Sequence, residues 1–379
     1  MSVDKLKRTV LGLIAVSLFF VSGVVLAEYP LNLTEGVTPT SQKVYDLHMT
    51  IFYIVTVIGI AVFAVMTWSI FHHRKSKGAV PAQFHHSTFA EITWTIIPIL
   101  ILVGMAIPAT KTLVFMEQTG DAEMTLKVTG YQWKWKYDYL DEDISFFSSL
   151  AAADNEARQL NSGIDPSTIE NYLKNVDNPI VLPVDTKIRI LTTAADVIHS
   201  WWVPDLGWKR DAIPGYINDN WTYIEEPGVY RGKCTELCGK DHGFMPIVVH
   251  AVSKEDYVTW VAEKKAEQAA ASSGKDMTMA ELMEKGKTVY GTNCAACHMP
   301  NGEGGAAFPA LAGSAIATGD VANHVDIVVN GSKNNPMMQA FGQQLNDADL
   351  AAVITYERNA WGNDTGDMVQ PSDVKAARK

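Results

Sequence analysis

The sequence predicts a multidomain chain in three parts: an N-terminal two-helix transmembrane hairpin, an all-β domain and a C-terminal all-α domain. Three observations carry that reading. Two long runs, 47–71 and 92–110, hold no charged residue. From Met124 onward apolar and polar residues alternate, and Tyr131, Trp133, Trp135, Tyr137 and Tyr139 keep the period of two. Past residue 278 the apolar residues recur at helical spacing instead.

The chain begins with Lys5, Lys7 and Arg8, then runs uncharged to Ala27. A basic head, an apolar run and a small residue at its end read as a signal peptide over 1–27; an uncleaved anchor helix is the alternative. Residues 28–43 follow as an external N-terminal segment. The two uncharged runs hold 25 and 19 residues. At about 1.5 Å per residue each can cross roughly 30 Å of hydrocarbon, so transmembrane helices are expected over 44–72 and 88–116. The loop between them, 73–87, carries His73, Arg74, Lys75 and Lys77 and no acidic residue. Such a loop is cytoplasmic by the positive-inside rule, which places the chain after it outside.

Short β-like runs follow at 180–184, 187–193, 221–224, 229–233 and 247–252. Asn178-Pro179, Pro214-Gly215 and Pro227-Gly228 punctuate them as turns. Strands at this spacing make 123–262 an antiparallel sandwich or barrel. The stretch 141–176, rich in Ala, Asn, Asp and Ser, interrupts the pattern and reads as a surface insertion with some helix. Residues 263–276 read EKKAEQAAASSGKD, so 263–278 is expected to be a flexible linker. The helical domain is placed at 279–365. One amphipathic segment spans about 278–290; another starts after Asn346, a good N-cap, with Leu350, Val353 and Ile354 on one face. Residues 366–379 remain as a tail.

Composition narrows the function. Lys plus Arg is 31 against 42 Asp plus Glu, a net charge of −11, which argues against a nucleic-acid partner and permits a basic protein one. The four cysteines, Cys234, Cys238, Cys294 and Cys297, fall in two close pairs, the spacing of metal or haem sites rather than of a disulfide framework. Cys294-Ala-Ala-Cys297-His298 reads as covalent c-type haem attachment, with His298 as an axial ligand. A thioredoxin-like pair and half a zinc site compete with it. The external location and the lack of a second cysteine pair in that domain favour haem. A downstream Met or His should complete the iron, and Met337 and Met338 are the candidates; thioether ligation suits an electron carrier by raising the potential.

The other pair is denser. Cys234-Thr-Glu236-Leu-Cys238-Gly-Lys-Asp-His242-Gly-Phe-Met245 holds two thiolates, an imidazole and a thioether, with His199 upstream. Soft sulfur with imidazole suits copper. Two thiolates can bridge two copper ions, leaving one His and one weak ligand for each. A Cys₂His₂ zinc site is the alternative, but it leaves Met245 without a purpose.

This motif, the hairpin and the run Tyr131-Gln-Trp133-Lys-Trp135 resemble subunit II of haem-copper cytochrome c oxidases. With the haem motif the whole resembles the bacterial form that carries a fused cytochrome c. The resemblance implies a cupredoxin-like Greek-key sandwich and a class I cytochrome c domain. It implies a dinuclear centre called CuA, in which His199, Cys234, Cys238, His242, Met245 and the backbone carbonyl of Glu236 hold two copper ions. The Glu236 side chain would reach a magnesium ion shared with subunit I. Trp133 would be the aromatic through which electrons pass to the copper, and Glu91 the carboxylate at the mouth of a proton path. Asp196 matches an acidic docking residue. Met338-Gln-Ala-Phe341 resembles the axial Met context of small cytochromes c, which favours Met338, and Pro309 would accept the His298 ring N–H. Two positions depart from the family: Tyr131 stands where it often has His, and Lys134 replaces an aromatic residue.

The function so implied is electron input to a terminal oxidase of a bacterial inner membrane, with both cofactor domains periplasmic. Electrons would pass from a cytochrome c, soluble or membrane-bound, or from an upstream cytochrome complex, through haem c and CuA to subunit I. There oxygen is reduced to water and protons are translocated. The partners are then subunit I, the other oxidase subunits, the donor and the lipid bilayer, with no nucleic acid. A non-catalytic membrane-anchored carrier is the competing class, but it needs only one anchor. A nitrous oxide reductase relative would need many His ligands, and the chain has ten His in all.

Overall fold

A computed structural model describes residues 32–272, 274–305, 308–335 and 337–378. The expected signal peptide lies outside the described residues.

The first helix, α1, spans Pro39–His72, so it begins five residues ahead of the expected 44. The cause is local. Thr38 and Ser41 form a capping box, and Pro39 occupies the first helical turn, where its missing N–H costs nothing. Thr38 Oγ1 also donates to the Leu206 carbonyl at 3.0 Å. Gly207, at φ +79°, passes so close that a Cβ would collide with the Ser41 backbone. The second helix, α2, spans Thr88–Met116 with Ser87 as its cap. Its Pro98 and Pro108 fit a helix that neighbours and local adjustment can support within a bilayer. Mean hydropathies of 2.5 and 2.1 make both helices apolar enough to cross a membrane. At about 1.5 Å per residue α1 is about 50 Å long, so it extends well beyond the hydrocarbon layer. The outer ends are fastened to the β-domain: Phe115 meets Trp221 edge-on at 5.3 Å, and Arg210 bonds Glu117 at 2.7 Å.

Among the described residues, ten strands form two five-stranded sheets. In the first, β1 (Met124–Tyr131) lies between β2 (Lys134–Tyr139) and β5 (Lys187–Ala194), with β3 (Ile144–Ser148) and β8 (Asn218–Tyr223) at the edges. The second runs β4 (Ile180–Pro183), β10 (Pro246–Val252), β9 (Gly228–Cys234), β6 (His199–Val203) and β7 (Trp208–Ala212). Pairs β1–β5 and β4–β10 are parallel, so the sheets are mixed rather than purely antiparallel. Leu126, Val128, Trp135 and Ile190 face Trp201, Val203, Ile247 and Val249 across a fully buried core. Strands β6 and β7 escape the sequence pattern. The first, His-Ser-Trp-Trp-Val, is almost wholly buried and does not alternate; the second, Trp-Lys-Arg-Asp-Ala, is a charged edge strand.

Three expected boundaries change. The insertion expected at 141–176 contributes β3 to the sheet, and only 149–177 leaves it, with a short helix α3 (Ala152–Ala157). The expected linker 263–278 is mostly helix: α4 runs Lys254–Ser272. Tyr257 and Val261 are buried against the sandwich, and Trp260 lies 5.1 Å from Tyr139. Beyond that anchor, Glu, Lys, Ala and Gln are strong helix formers and carry the helix on. Lys265 bonds Glu142 at 2.7 Å, and Gln268 accepts from the Ser145 N–H at 3.0 Å. The third change is the tail, which is part of the helical domain.

That domain holds α5 (Met279–Asn293), α6 (Ala295–His298), α7 (Val321–Asn330), α8 (Asp347–Asn359) and α9 (Pro371–Ala377). Helices α5 and α8 cross at Gly286, where any Cβ would collide with the Ala352 carbonyl. Leu282, Tyr290, Val329, Leu350, Val353 and Ile354 form the core. Val369 and Val374 of the expected tail are fully buried. Gln370 clasps Met277 through two hydrogen bonds of 2.9 and 3.0 Å, closing the domain on itself.

Candidate functional site

Strand β9 delivers Cys234, the following loop returns through Cys238, and β10 starts just after Met245. The sulfurs of Cys234 and Cys238 lie 3.8 Å apart, both buried. His199, at the head of β6, brings Nδ1 to 3.9 Å from Cys234 Sγ. The Glu236 carbonyl is 3.3 Å from the same sulfur. On the other side, His242 Nδ1 lies 3.6 Å and Met245 Sδ 3.5 Å from Cys238 Sγ. The donors therefore divide evenly: each sulfur has one imidazole and one weak ligand beside it. The donor atoms of His199, Cys234 and Cys238 all lie within 4.8 Å of one another and could hold a metal ion. Two thiolates, two imidazoles and a thioether in a dry pocket fit soft copper.

The sulfurs titrate as a pair. The hydrogen bond from Cys238 holds the Cys234 thiol well below its usual range, and His199 and two backbone N–H groups assist. Cys238 is correspondingly pushed up. His199 is oriented from behind by Asp196, whose Oδ1 lies 2.9 Å from Nε2, so Nδ1 is the free donor. Burial alone would raise Asp196, but His199 and the N–H groups of Gln132 and Val197 outweigh it and hold the carboxyl low. Its oxygens are committed at 2.6–2.9 Å to the His199 ring and to the N–H groups of Gln132 and Val197, so Asp196 holds the imidazole in place.

Two neighbours that the sequence did not single out shape this cage. Gly130 on β1 faces His199, and a Cβ there would sit 2.6 Å from the imidazole ring. Gln132 donates to the Cys238 carbonyl at 2.8 Å, beside Trp133, whose indole N–H reaches the same oxygen at 3.2 Å. A glycine near the end of an otherwise strong strand was the available signal for the first; nothing in the pattern marked the second.

In the helical domain, Cys294, Cys297 and His298 sit on the tight turn after α5. His298 Nδ1 lies 2.9 Å from the Pro309 carbonyl, as expected, which leaves Nε2 free for a metal. Met338 packs against the domain core, whereas Met337 is 58% exposed. His298, Met338, Phe341 and both cysteines wall a cleft of about 200 Å³. Its wall also contains His324, bonded to Glu357 at 3.0 Å, with Nδ1 buried and unpartnered among the described residues. Two thiols, one free imidazole nitrogen and a mostly apolar cleft fit a covalently held haem.

The same cleft is walled on its other side by Trp133 and Lys134 of the β-domain. Lys134 Nζ bonds Asn293 Oδ1 at 2.9 Å and lies over the rings of Phe147 and Phe341 at 4.7 and 5.4 Å. Burial drops its pKa to about 8. From the copper loop, Lys240 donates to the Ala296 carbonyl at 2.6 Å. The two candidate centres therefore share a boundary. Glu91 stands apart, in the first turn of α2, where its carboxylate accepts from the Ser87 N–H at 3.4 Å. Glu236 turns its carbonyl to Cys234 and leaves its side chain exposed.

Comparison with known proteins follows this division. Residues 124–252 match the family model for the periplasmic domain of cytochrome c oxidase subunit II, and residues 27–112 match its transmembrane domain. Residues 283–361 match cytochrome c. A probable cytochrome c oxidase subunit 2 of Rickettsia bellii is 40% identical over 273 residues, 71% of this chain and 97% of that protein. This chain belongs to the cytochrome c oxidase subunit II family. The Rickettsia prowazekii relative is 43% identical over 227 residues, 60% of this chain and 70% of its own length. The crystal structure of the periplasmic domain of the Bradyrhizobium japonicum oxidase subunit II is 38% identical. That match covers 40% of this chain and 99% of that one, with a TM-score of 0.35. As a subunit II with a cytochrome c domain, the chain is part of a haem-copper terminal oxidase, an oxidoreductase complex. Its family implies copper in the β-domain and haem c in the helical domain, both on a membrane anchor.

The tight approach at Gly130 yields a direct check. Gly130→Ala should displace the His199 ring and abolish the copper signal or reduce its intensity severely. Covalent haem should remain, since the helical domain is untouched. Copper content and visible spectra of the purified chain measure both; a normal copper site in this variant would show that the ring does not need that space.

Proposed function

We propose that this chain is the point at which electrons enter its oxidase. It takes them from an external cytochrome donor through haem c and a dinuclear CuA centre and hands them to subunit I. There oxygen is reduced to water with proton translocation, in the inner membrane of a bacterium that the chain crosses twice. The observation that carries the reading is the shared cleft, in which the haem-attachment turn and the copper loop meet with Trp133 between them.

Bound haem c and copper supply reversible one-electron chemistry. The chain's own residues arrange for it. Cys294 and Cys297 would anchor the haem, His298 and Met338 would bind its iron, and Pro309 fixes the His298 ring. His199, Cys234, the Glu236 carbonyl, Cys238, His242 and Met245 would together hold two copper ions. The exposed Glu236 carboxylate is placed to reach a magnesium ion shared with subunit I. Trp133, bonded to the Cys238 backbone, would offer an aromatic path from the cleft to Cys238. Lys134 and its aromatic neighbours exclude water between the domains. Glu91, at the cytoplasmic end of α2, is placed to collect protons for subunit I.

Two outcomes test this assignment. Met338→Ala should leave haem covalently attached and lower its reduction potential, because thioether ligation raises it. Met337→Ala should change it little, and the opposite ranking would reassign the axial ligand. In the assembled oxidase, Glu91→Ala should slow turnover while copper and haem spectra stay normal. Unchanged turnover would reduce Glu91 to a helix-terminal charge.

A further inference from the structure

The segment 149–177 leaves the first sheet, yet it is built as a rigid element. Its neck is closed by a bridge between Leu150 and Val176 and by hydrogen bonds Ala151 N–H to Asn175 O and Asp177 N–H to Ser149 O, 3.1 and 3.0 Å. Inside, Asp154 is 1% exposed and takes the Leu173 N–H and the Asn175 side chain. So stiffened, α3 presents two side chains one turn apart. Asn155 donates through Nδ2 to the Gly291 carbonyl of α5 at 2.6 Å, three residues before Cys294. Arg158 grips Asp241 through both guanidinium nitrogens at 3.3 and 3.2 Å and covers the Phe244 ring at 4.2 Å. Asp241 directly precedes His242, and the pair is buried, with side chains 14% and 6% exposed. Arg158 Nε also donates to Asn155 Oδ1 at 2.7 Å, so the two grips form one unit.

We infer that the insertion 149–177 is the seat of the haem domain, with Asn155 and Arg158 as positioning residues that fix the haem-attachment turn against the copper loop. This rests on the electron-input reading and adds how the two centres are kept in register. Two direct contacts, Lys134 to Asn293 and Lys240 to Ala296, converge on the same turn. All three donors meet the C-terminal end of α5 and the turn that follows, where unsatisfied carbonyls and the helix dipole favour donors and positive charge. Long lysines can hold contact while the domain rocks. A short Asn on a stiff helix, locked to the bidentate Arg158–Asp241 pair, cannot.

The test uses the assembled oxidase. Asn155→Ala is the first variant. In the second, residues 152–174 are replaced by two glycines, which the bridged neck allows, together with Asp241→Asn so that no buried charge is stranded. Arg158→Lys is the conservative control. One readout ignores electron flow: amide exchange of the 291–298 turn should rise roughly fivefold in Asn155→Ala, the factor of one lost hydrogen bond, and further in the excised protein. The other is haem-to-copper transfer, which should acquire a slow, viscosity-dependent phase in both variants while haem and copper spectra stay native. Arg158→Lys should fall between. Unchanged exchange with native spectra would overturn the seat whatever the electrons do. Loss of the copper spectrum in the excised protein would overturn it too, assigning the segment to copper-loop stability. If the unaltered oxidase shows no haem-to-copper transfer at all, the electron-input reading fails, and the exchange result still decides the seat.

Discussion

Two cysteine sulfurs held 3.8 Å apart in a dry site are the constraint on which this structure turns. Two thiolates so close would repel each other, and the thiols shift in opposite directions, Cys234 down because Cys238 donates to it and Cys238 up. Two bound copper ions would offset both charges. Each surrounding element then has a job set by the pair. Strand β9 and the return into β10 fix the sulfurs. Gly130 leaves room for the His199 ring, and Asp196 points its Nδ1 inward. Trp135 is fully buried with its edge toward His199, 5.9 Å between centroids, and backs the imidazole.

The second organising fact is that the helical domain closes over the copper loop. Burying the Lys134 ammonium would cost several kcal/mol if left alone. An amide oxygen and two aromatic faces offset that cost, and its depressed pKa, about 8, records what remains. A lysine here would repel a separate basic donor, whereas in this chain it bonds the Asn293 side-chain oxygen of the covalently linked domain. Helix α4 has the same logic: it is docked along the sandwich and leaves only residues 273–278 before α5, so the haem domain is placed rather than loosely tethered.

Most of the copper and haem chemistry was legible in the sequence because ligands must have fixed atom types at fixed spacing. Cys234 to Met245 and Cys294 to His298 could be read directly, and His199 with them. The paired β-strands with alternating faces were readable too. Others were not, for physical reasons. Strand β6 is buried on both faces and loses the alternation. Residues 263–272 have a linker's polarity, yet they propagate a helix nucleated by Tyr257 and Trp260. Val369 and Val374 are two apolar residues in a polar tail, too few to announce a core. Asn155 and Arg158 act through contacts across 136 and 83 residues of sequence, which no local pattern records.

The central claim is serial passage through the haem domain to the copper. Rapid mixing of the oxidised, assembled oxidase with its reduced cytochrome donor, followed at haem c and copper wavelengths, tests it most directly. The account predicts that haem c is reduced first and copper after it, and that an oxidase lacking residues 279–379 keeps its copper spectrum but accepts electrons from that donor far more slowly. Copper reduction in the shortened oxidase at the rate of the whole one would contradict the account and show that electrons reach the copper without passing through haem c.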